Sequence, residues 1–274
     1  MAKEEKLTKE LYNQQAEREW QRLVKDPFHK LEIDTTLHFL KKHLPKKGTI
    51  LDAGGGPGRY SIELAKMGYK VVLLDLAQAN LDIAKKEIKK TKTENNVTNL
   101  ILGSITDLSI FKSNIFDAVL CLGGPLSHVH PEKQRKKAIS ELIRVAKNNS
   151  PIFISVMGKY GCLLNALRRW PDEVAMKSHF ENLALKGNDY MWQGGKGFSH
   201  FFTLNELTNL LNKKLKILDT VGLEGLATAT QDELNNSYNK KKIYKNWINT
   251  HYKLCAEPTV ADLSLHFLII GRKK

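Results

Sequence analysis

Two rhythms of apolar residues alternate along most of this chain. Short runs that are apolar at nearly every position read as strands buried on both faces: Ile50-Leu51, Val71-Val72-Leu73-Leu74, Leu100-Ile101-Leu102, Phe116-Asp-Ala-Val-Leu-Cys-Leu122 and Pro151-Ile-Phe-Ile-Ser-Val-Met157. Between them, apolar stripes at three- and four-residue spacing read as helices over 60–67, 81–91 and 132–147. Strand and helix in strict turn predict an α/β fold with a parallel sheet, since a parallel neighbour needs a crossover long enough to hold a helix. Two amphipathic helices precede the first strand. The first, 4–24, carries Leu7, Leu11, Ala16, Trp20 and Leu23 and stops at Asp26-Pro27; the second, 31–44, ends at the Pro45-Lys-Lys-Gly48 turn. After Met157 the alternation breaks, and 158–199 reads as short helices with no strand. Thr203 and Glu206 have capping-box spacing ahead of a helix over 204–211, followed by a strand over 214–223. A second helical insertion, 230–255, then leads to a last buried strand over 263–270.

The chemistry gathers where these strands end. Thr49-Ile-Leu-Asp-Ala-Gly-Gly-Gly-Pro-Gly58 runs from a strand through a glycine turn into a helix, the setting in which a backbone lies against a nucleotide-like ligand. A dinucleotide loop wants G-x-G-x-x-G; counted from Gly54 the sixth position is Arg59, and the third glycine of the alternation falls at Gly58. Asp52, two residues before Gly54, would oppose a phosphate and suits a cation such as the ammonium of an amino-acid-containing cofactor. Asp75 closes the next strand, where a bidentate bond to ribose hydroxyls is the usual task.

Asp52-x-Gly54-x-Gly56-x-Gly58 together with Asp75 resembles the first two motifs of the class I S-adenosylmethionine-dependent methyltransferases. That resemblance implies a Rossmann-like sheet of seven mostly parallel strands with a reversed last strand, helices on both faces and helical caps. It also implies one domain, 1–274: N-terminal helices or lid at 1–45, a cofactor-binding core at 46–157, a cap at 158–202, and the rest of the sheet at 203–274 with an insertion at 225–256. S-adenosyl-L-methionine would be the cofactor and S-adenosyl-L-homocysteine its product. Asp52 would face the methionine end, Gly54, Gly55, Gly56 and Gly58 would allow close approach, and Asp75 and Leu76 would meet the ribose. Gly103-Ser-Ile-Thr-Asp-Leu108 resembles the family's adenine loop, with Ser104 holding it, Ile105 against the ring and Asp107 accepting from the amino group; Asp107 also reads as a turn residue bonding its own backbone. Leu122 and Gly123 end the fourth strand where donor and acceptor would meet.

The acceptor side is less distinctive. Gly123-Gly-Pro-Leu126 is not the [DN]-P-P-[YF] of enzymes acting on base amines, and no Pro-Cys pair is placed to attack a pyrimidine carbon, because Cys121 lies inside its strand. His128 is a candidate general base, with the alternative that it is a hydrogen-bonded loop residue. Tyr12 and Arg22 are candidates for a lid, and Tyr160, Trp192 and His200 for the substrate cap.

Composition narrows the setting. With 42% hydrophobic and 26% charged residues and no stretch approaching a membrane span or a signal peptide, a cytoplasmic protein is expected. Cys121, Cys162 and Cys255 are far apart, so buried thiols are expected, with no disulfide and no metal. A net charge of +14 from 43 basic and 29 acidic residues raises RNA as a partner, yet the lysines are scattered among asparagines, and the lysine faces of 81–91 and 230–255 read more simply as solvated surface than as binding patches. Three readings remain: methyl transfer to oxygen or nitrogen of a small molecule, modification of a tRNA base, and a non-catalytic cofactor-binding subunit. For the second, Asp52-Ala-Gly-Gly-Gly56 and Glu257-Pro258 resemble the tRNA enzymes that esterify 5-carboxymethoxyuridine.

Overall fold

The computed structural model describes residues 3–190, 194 and 197–274. Helices α1 (Lys3–Arg22) and α2 (Pro27–His43) lead into β1 (Thr49–Ala53), α3 (Arg59–Lys66), β2 (Lys70–Asp75), α4 (Gln78–Thr91), β3 (Val97–Leu102), β4 (Ala118–Cys121), α5 (Glu132–Val145) and β5 (Pro151–Met157). The cap follows as α6 (Lys159–Arg169), α7 (Pro171–Ala175), α8 (Lys177–Lys186) and the two-residue strands β6 (Asn188–Asp189) and β7 (Ser199–His200). The chain then returns to the sheet through α9 (Leu204–Leu211), β8 (Leu215–Gly222), α10 (Gln231–Ser237), α11 (Lys241–Leu254), α12 (Pro258–Asp262) and β9 (His266–Lys273).

Seven strands form one sheet in the order β3-β2-β1-β4-β5-β9-β8. The first five are parallel, and β9 runs against both of its neighbours. This is the Rossmann-like α/β sheet with a reversed last strand. Side chains alternate across it. Leu51, Ala53, Val119, Ile152 and Ile154 pack under α5 and α9 against Ile139, Leu142 and Leu207. Ile50, Ala118, Leu120 and Phe153 face the other way, against Phe39 and Leu40 of α2 and Tyr60 and Leu64 of α3. Each large side chain withdrawn from water in this way stabilises the fold by about 1.5–3 kcal/mol.

Three details differ from the expectation. β3 begins at Val97, ahead of Leu100; as an edge strand it tolerates the exposed Thr98 and Asn99 that hide its period. The last strand begins at His266, because Leu263 caps α12 and the Ser264 hydroxyl is turned toward Glu224, accepting from its N–H at 3.1 Å and donating to its carboxylate at 2.9 Å. The cap, read as helical only, also contains the antiparallel pair Asn188↔His200 and Asp189↔Ser199, which is too short to show a period of two.

Candidate active site

The carboxyl ends of the parallel strands open on a cavity of about 710 Å³, roofed by α1. At one end β1 delivers the glycine loop. Gly54 has φ +76, and a methyl group there would come within 2.6 Å of the Pro125 ring, so the loop can sit against the segment after β4 only without a side chain. Gly54, Gly55 and Gly56 line the cavity. Gly58 does not; at φ +81 it caps the start of α3, and a methyl group there would come within 3.1 Å of Leu73 and 3.2 Å of Ala84. Its role is helix-to-sheet packing, a correction to the expected ligand contact.

Asp75 and Asp52 end adjacent strands with different outcomes. Asp75 faces the cavity and is held by three donors: the Gly56 N–H at 2.8 Å, the Ala77 N–H at 2.9 Å and the Asn80 amide at 3.0 Å. Burial raises its pKa, opposed by those bonds. Asp52 shares the face of Ile50, so its carboxylate lies beneath α3, where Ser61 Oγ donates to it at 2.7 Å. It is fully buried, is not part of the cavity wall, and has one oxygen without a hydrogen-bond partner among the described residues. Burial pushes its pKa up to about 6, with Ser61 opposing. The expected direct contact between Asp52 and the ligand's cationic end is therefore not what the geometry provides.

Leu76, Ser104, Ile105, Asp107, Leu122 and Gly123 all line the cavity. Ile105 is buried. Ser104 Oγ meets Thr106 Oγ1 at 2.8 Å, bracing the loop as expected. Asp107 is exposed and accepts from the Ser109 N–H at 3.1 Å, and hydrogen bonds from the Ser109 side chain and then its N–H lower the Asp107 pKa. It forms the turn and reaches the cavity at once. The Gly123 N–H is spoken for by Ser155 Oγ at 2.8 Å.

The other end combines distant segments. Tyr12, on α1, lies with its hydroxyl 2.7 Å from His128 Nε2. His128 Nδ1 is 3.0 Å from the Phe198 carbonyl oxygen, which only accepts, so Nδ1 carries the proton and Nε2 accepts from Tyr12. Ser199 Oγ stands 3.1 Å from the same Nδ1. Burial drives the His128 pKa down to about 4 and keeps the ring neutral. Next to this pair, Arg22 reaches the cavity beside Gly123 but is already clamped: it donates to Glu32 at 2.6 and 3.2 Å and to Glu19 at 3.2 Å. Burial works against its charge, and Glu32 and Glu19 overcome that and hold it protonated.

The remaining cap candidates fall elsewhere. Tyr160 is exposed, in a separate shallow groove with Leu204 and Asp262. His200 is buried outside the cavity wall, tied to Asn188 at 2.8 Å and Glu206 at 2.7 Å. Trp192 lies outside the described residues. Sequence reasoning passed over Asn80, whereas His130 stands with His128 as a titratable group expected at this edge, in the segment that also holds Pro125. Asn80 lines the cavity with its Oδ1 unpartnered among the described residues. His130 packs at a tilt against Phe198, with centroids 4.3 Å apart, and its Nδ1 has no hydrogen-bond partner among the described residues. The one usable signal was spacing: Thr8, Tyr12 and Glu19 share a face of α1 with Arg22 and Leu23, and all five line the cavity.

Residues 50–149 match the family described as "Methyltransferase domain". A glycine/sarcosine N-methyltransferase of Parasynechococcus marenigrum (strain WH8102) is 30% identical over 139 residues, 49% of this chain and 46% of the relative. A ubiquinone biosynthesis O-methyltransferase of Bartonella quintana (strain Toulouse) is 25% identical over 198 residues, 70% of this chain and 68% of the relative. The chain spans about half the length of the glycine/sarcosine relatives it matches. Among solved structures, a Burkholderia thailandensis 1,6-didemethyltoxoflavin-N1-methyltransferase with bound 1,6-didemethyltoxoflavin and S-adenosylhomocysteine superposes over 100% of this chain and 92% of its own, at TM-score 0.59 and 13% identity. Residues 50–149 are thus similar to a methyltransferase domain, and the seven-stranded sheet β3-β2-β1-β4-β5-β9-β8 that contains them is the fold shared with that solved structure.

Proposed function

We propose that this protein transfers the methyl group of S-adenosylmethionine to an oxygen or nitrogen of a small molecule held beneath α1, and that Tyr12 and His128 receive the proton the acceptor gives up. The observation carrying this reading is the Tyr12–His128 contact of 2.7 Å, aimed at the cavity beside Gly123.

The donor end suits the cofactor on its own geometry. Gly54–Gly56 present bare backbone to the cavity, Asp75 offers a carboxylate braced by three donors, Asn80 Oδ1 is a buried acceptor still to be used, and Ile105 supplies apolar surface. Asp75 and Asn80 would hold the ribose, Ile105 and the 103–107 loop the adenine, and the glycine loop the methionine portion. When bound, S-adenosylmethionine supplies a methyl group on a sulfonium, ready for in-line displacement.

At the acceptor end Tyr12 Oη can accept the acceptor's hydrogen bond while donating its own proton to His128 Nε2. A base near pKa 4 suffices, because the acceptor atom becomes strongly acidic as its new bond forms. The Phe198 carbonyl oxygen holds the imidazole in the tautomer whose Nε2 accepts from Tyr12. Arg22, neutralised by two carboxylates, is a wall of the site and offers no free charge for an anionic acceptor. The relatives that act on glycine, sarcosine and ubiquinone precursors support a small acceptor of this kind.

The test is labelled-methyl transfer from S-adenosylmethionine into fractionated cell extract, with bulk tRNA as a parallel arm. Label in a low-molecular-weight product that disappears with Tyr12→Phe is the expected result. Incorporation into tRNA alone would replace the small acceptor with RNA, and cofactor binding without any turnover would mean a non-catalytic subunit.

A further inference from the structure

The roof of the cavity has little apolar anchorage: among the 20 residues of α1, Thr8, Leu11 and Ala16 are the buried ones. Polar ties hold the helix down. Tyr12 meets His128, Asn13 Oδ1 accepts from the Ala79 N–H at 3.0 Å, the Trp20 carbonyl accepts from Arg59, and Arg22 closes the last turn onto Glu32. The last of these runs on into the interior. Arg22 donates to both Glu32 oxygens, at 2.6 and 3.2 Å; Glu32 stands 3.7 Å from His266 Nδ1, and that nitrogen closes on Glu224 at 2.6 Å. Glu224 also accepts from the His266 N–H at 2.8 Å and from Ser264 Oγ at 2.9 Å. Arg22, Glu32, His266 and Glu224 thus form a line of alternating charge from the cavity wall, through α2 and β9, to the turn after β8.

Glu32 and Glu224 are each 1% exposed, so water answers neither charge and each depends on a cation nearby. Arg22 supplies one. Glu19, the other carboxylate on Arg22, keeps 20% of its side chain exposed and is partly answered by solvent. Around these groups stand His29 on α2, Tyr60 on α3, Arg169 on α6 and His251 on α11. Burial drives the pKa of His29 down and that of His251 down to about 4, so both are neutral near pH 7. Arg169 acts on Glu224 only at a distance. The second positive charge therefore falls to His266. Burial opposes that charge, and Glu32 and Glu224 outweigh burial and raise the His266 pKa above its ordinary 6.5, with Arg22 pulling the other way.

We propose that His266 is a positioning residue for the methyl-transfer site: its imidazolium holds Glu32 and Glu224 together, Glu32 in turn fixes Arg22, and Arg22 seats α1 over the cavity. The role rests on the reading of that cavity as the site of methyl transfer, and His266 itself touches neither donor nor acceptor, since it is not part of the cavity wall. A neutral imidazole keeps its Nδ1–H bond to Glu224, so what His266 gives up at high pH is its charge. Two buried carboxylates are then left with one guanidinium, and α1 loosens. The seating of α1 is complete below about pH 6.5 and is lost as pH rises through the raised His266 value.

The test follows the His266 imidazole by NMR, assigned with His266→Gln, while hydrogen-exchange protection of 3–22 and S-adenosylhomocysteine affinity are measured on the full chain from about pH 6 to 9. Both should fall about 10-fold or more as His266 loses its proton. His266→Gln keeps a donor and removes the charge at every pH, so both should be low throughout. Adding Glu224→Gln to it restores the balance of charge and should recover both, which a loss of packing alone would not allow. Protection of 3–22 that stays level while His266 titrates overturns the proposal. So does affinity that does not follow the titration, a double variant no better than the single one, or a loss of protection spread evenly over the sheet. S-adenosylhomocysteine that binds at no pH strikes the cofactor reading instead, and the exchange result still decides the role of His266.

Discussion

At the glycine-loop end of the cavity, the ligand-facing groups hang from the ends of β1, β2 and β3, each placed by the strand that precedes it. At the His128 end the groups come from α1, the turn after β4 and the cap, and they meet only because those segments pack together: Tyr12 and His128 are 116 residues apart, His128 and Phe198 are 70. The first end is local geometry repeated along a sheet edge. The second is assembled from remote pieces, and it has the freedom to differ between relatives that share a donor. The contrast explains why the donor reads clearly from this chain while the acceptor does not.

The largest expected effect falls at the assembled end. His128→Gln should lower the turnover of the methyl acceptor by about 10²- to 10⁴-fold while leaving S-adenosylhomocysteine affinity within experimental error. Single-turnover kinetics with calorimetry check it, and equal losses in turnover and cofactor binding would show that the two ends are not separable. At the strand end Asp75→Ala should weaken cofactor binding by roughly 100-fold, since it removes a carboxylate and leaves the Gly56 N–H, the Ala77 N–H and the Asn80 amide without their acceptor. Unchanged affinity by calorimetry would overturn the assignment of that end.

The smallest effect separates the two aspartates. Folded Asp52 releases its proton near pH 6 while the unfolded chain does so near 3.8, so the folded state binds more protons between those values. Stability is then fully present below about 4 and lost as pH rises through 6, by roughly 3 kcal/mol for two units. Asp52→Asn removes that loss and should raise Tm at pH 8, with little change in cofactor affinity. A melt lower than wild type at pH 8, or a large fall in affinity, would return Asp52 to direct contact with the ligand. His128 adds the opposite slope: its pKa of about 4 lies below 6.5, so stability falls as acid is added through that window.

Where the chain alternates regularly, its sequence was a good guide. Strand β5 and the order of β1 to β5 follow from apolar runs separated by helical stripes, and Asp75, Ile105 and Gly123 reach the cavity because each lies at or just past a strand's end. The same logic misplaced Asp52 by one register step: being two residues after Ile50 put it under α3, and the motif alone does not say which face is covered. Tyr160 and His200 lie in the cap segment, but membership of a segment does not place a side chain, and neither lines the cavity.

By itself, the sequence determined the α/β class, the strand-end loops and the cofactor chemistry they suit, because those depend on residues within a few positions of each other. Tertiary structure alone decided that Tyr12 meets His128 and that Arg22 is neutralised by Glu32 and Glu19. Those contacts join segments whose separation along the chain carries no periodic signal, and only the packing of α1 and the cap over the sheet edge brings them within bonding distance.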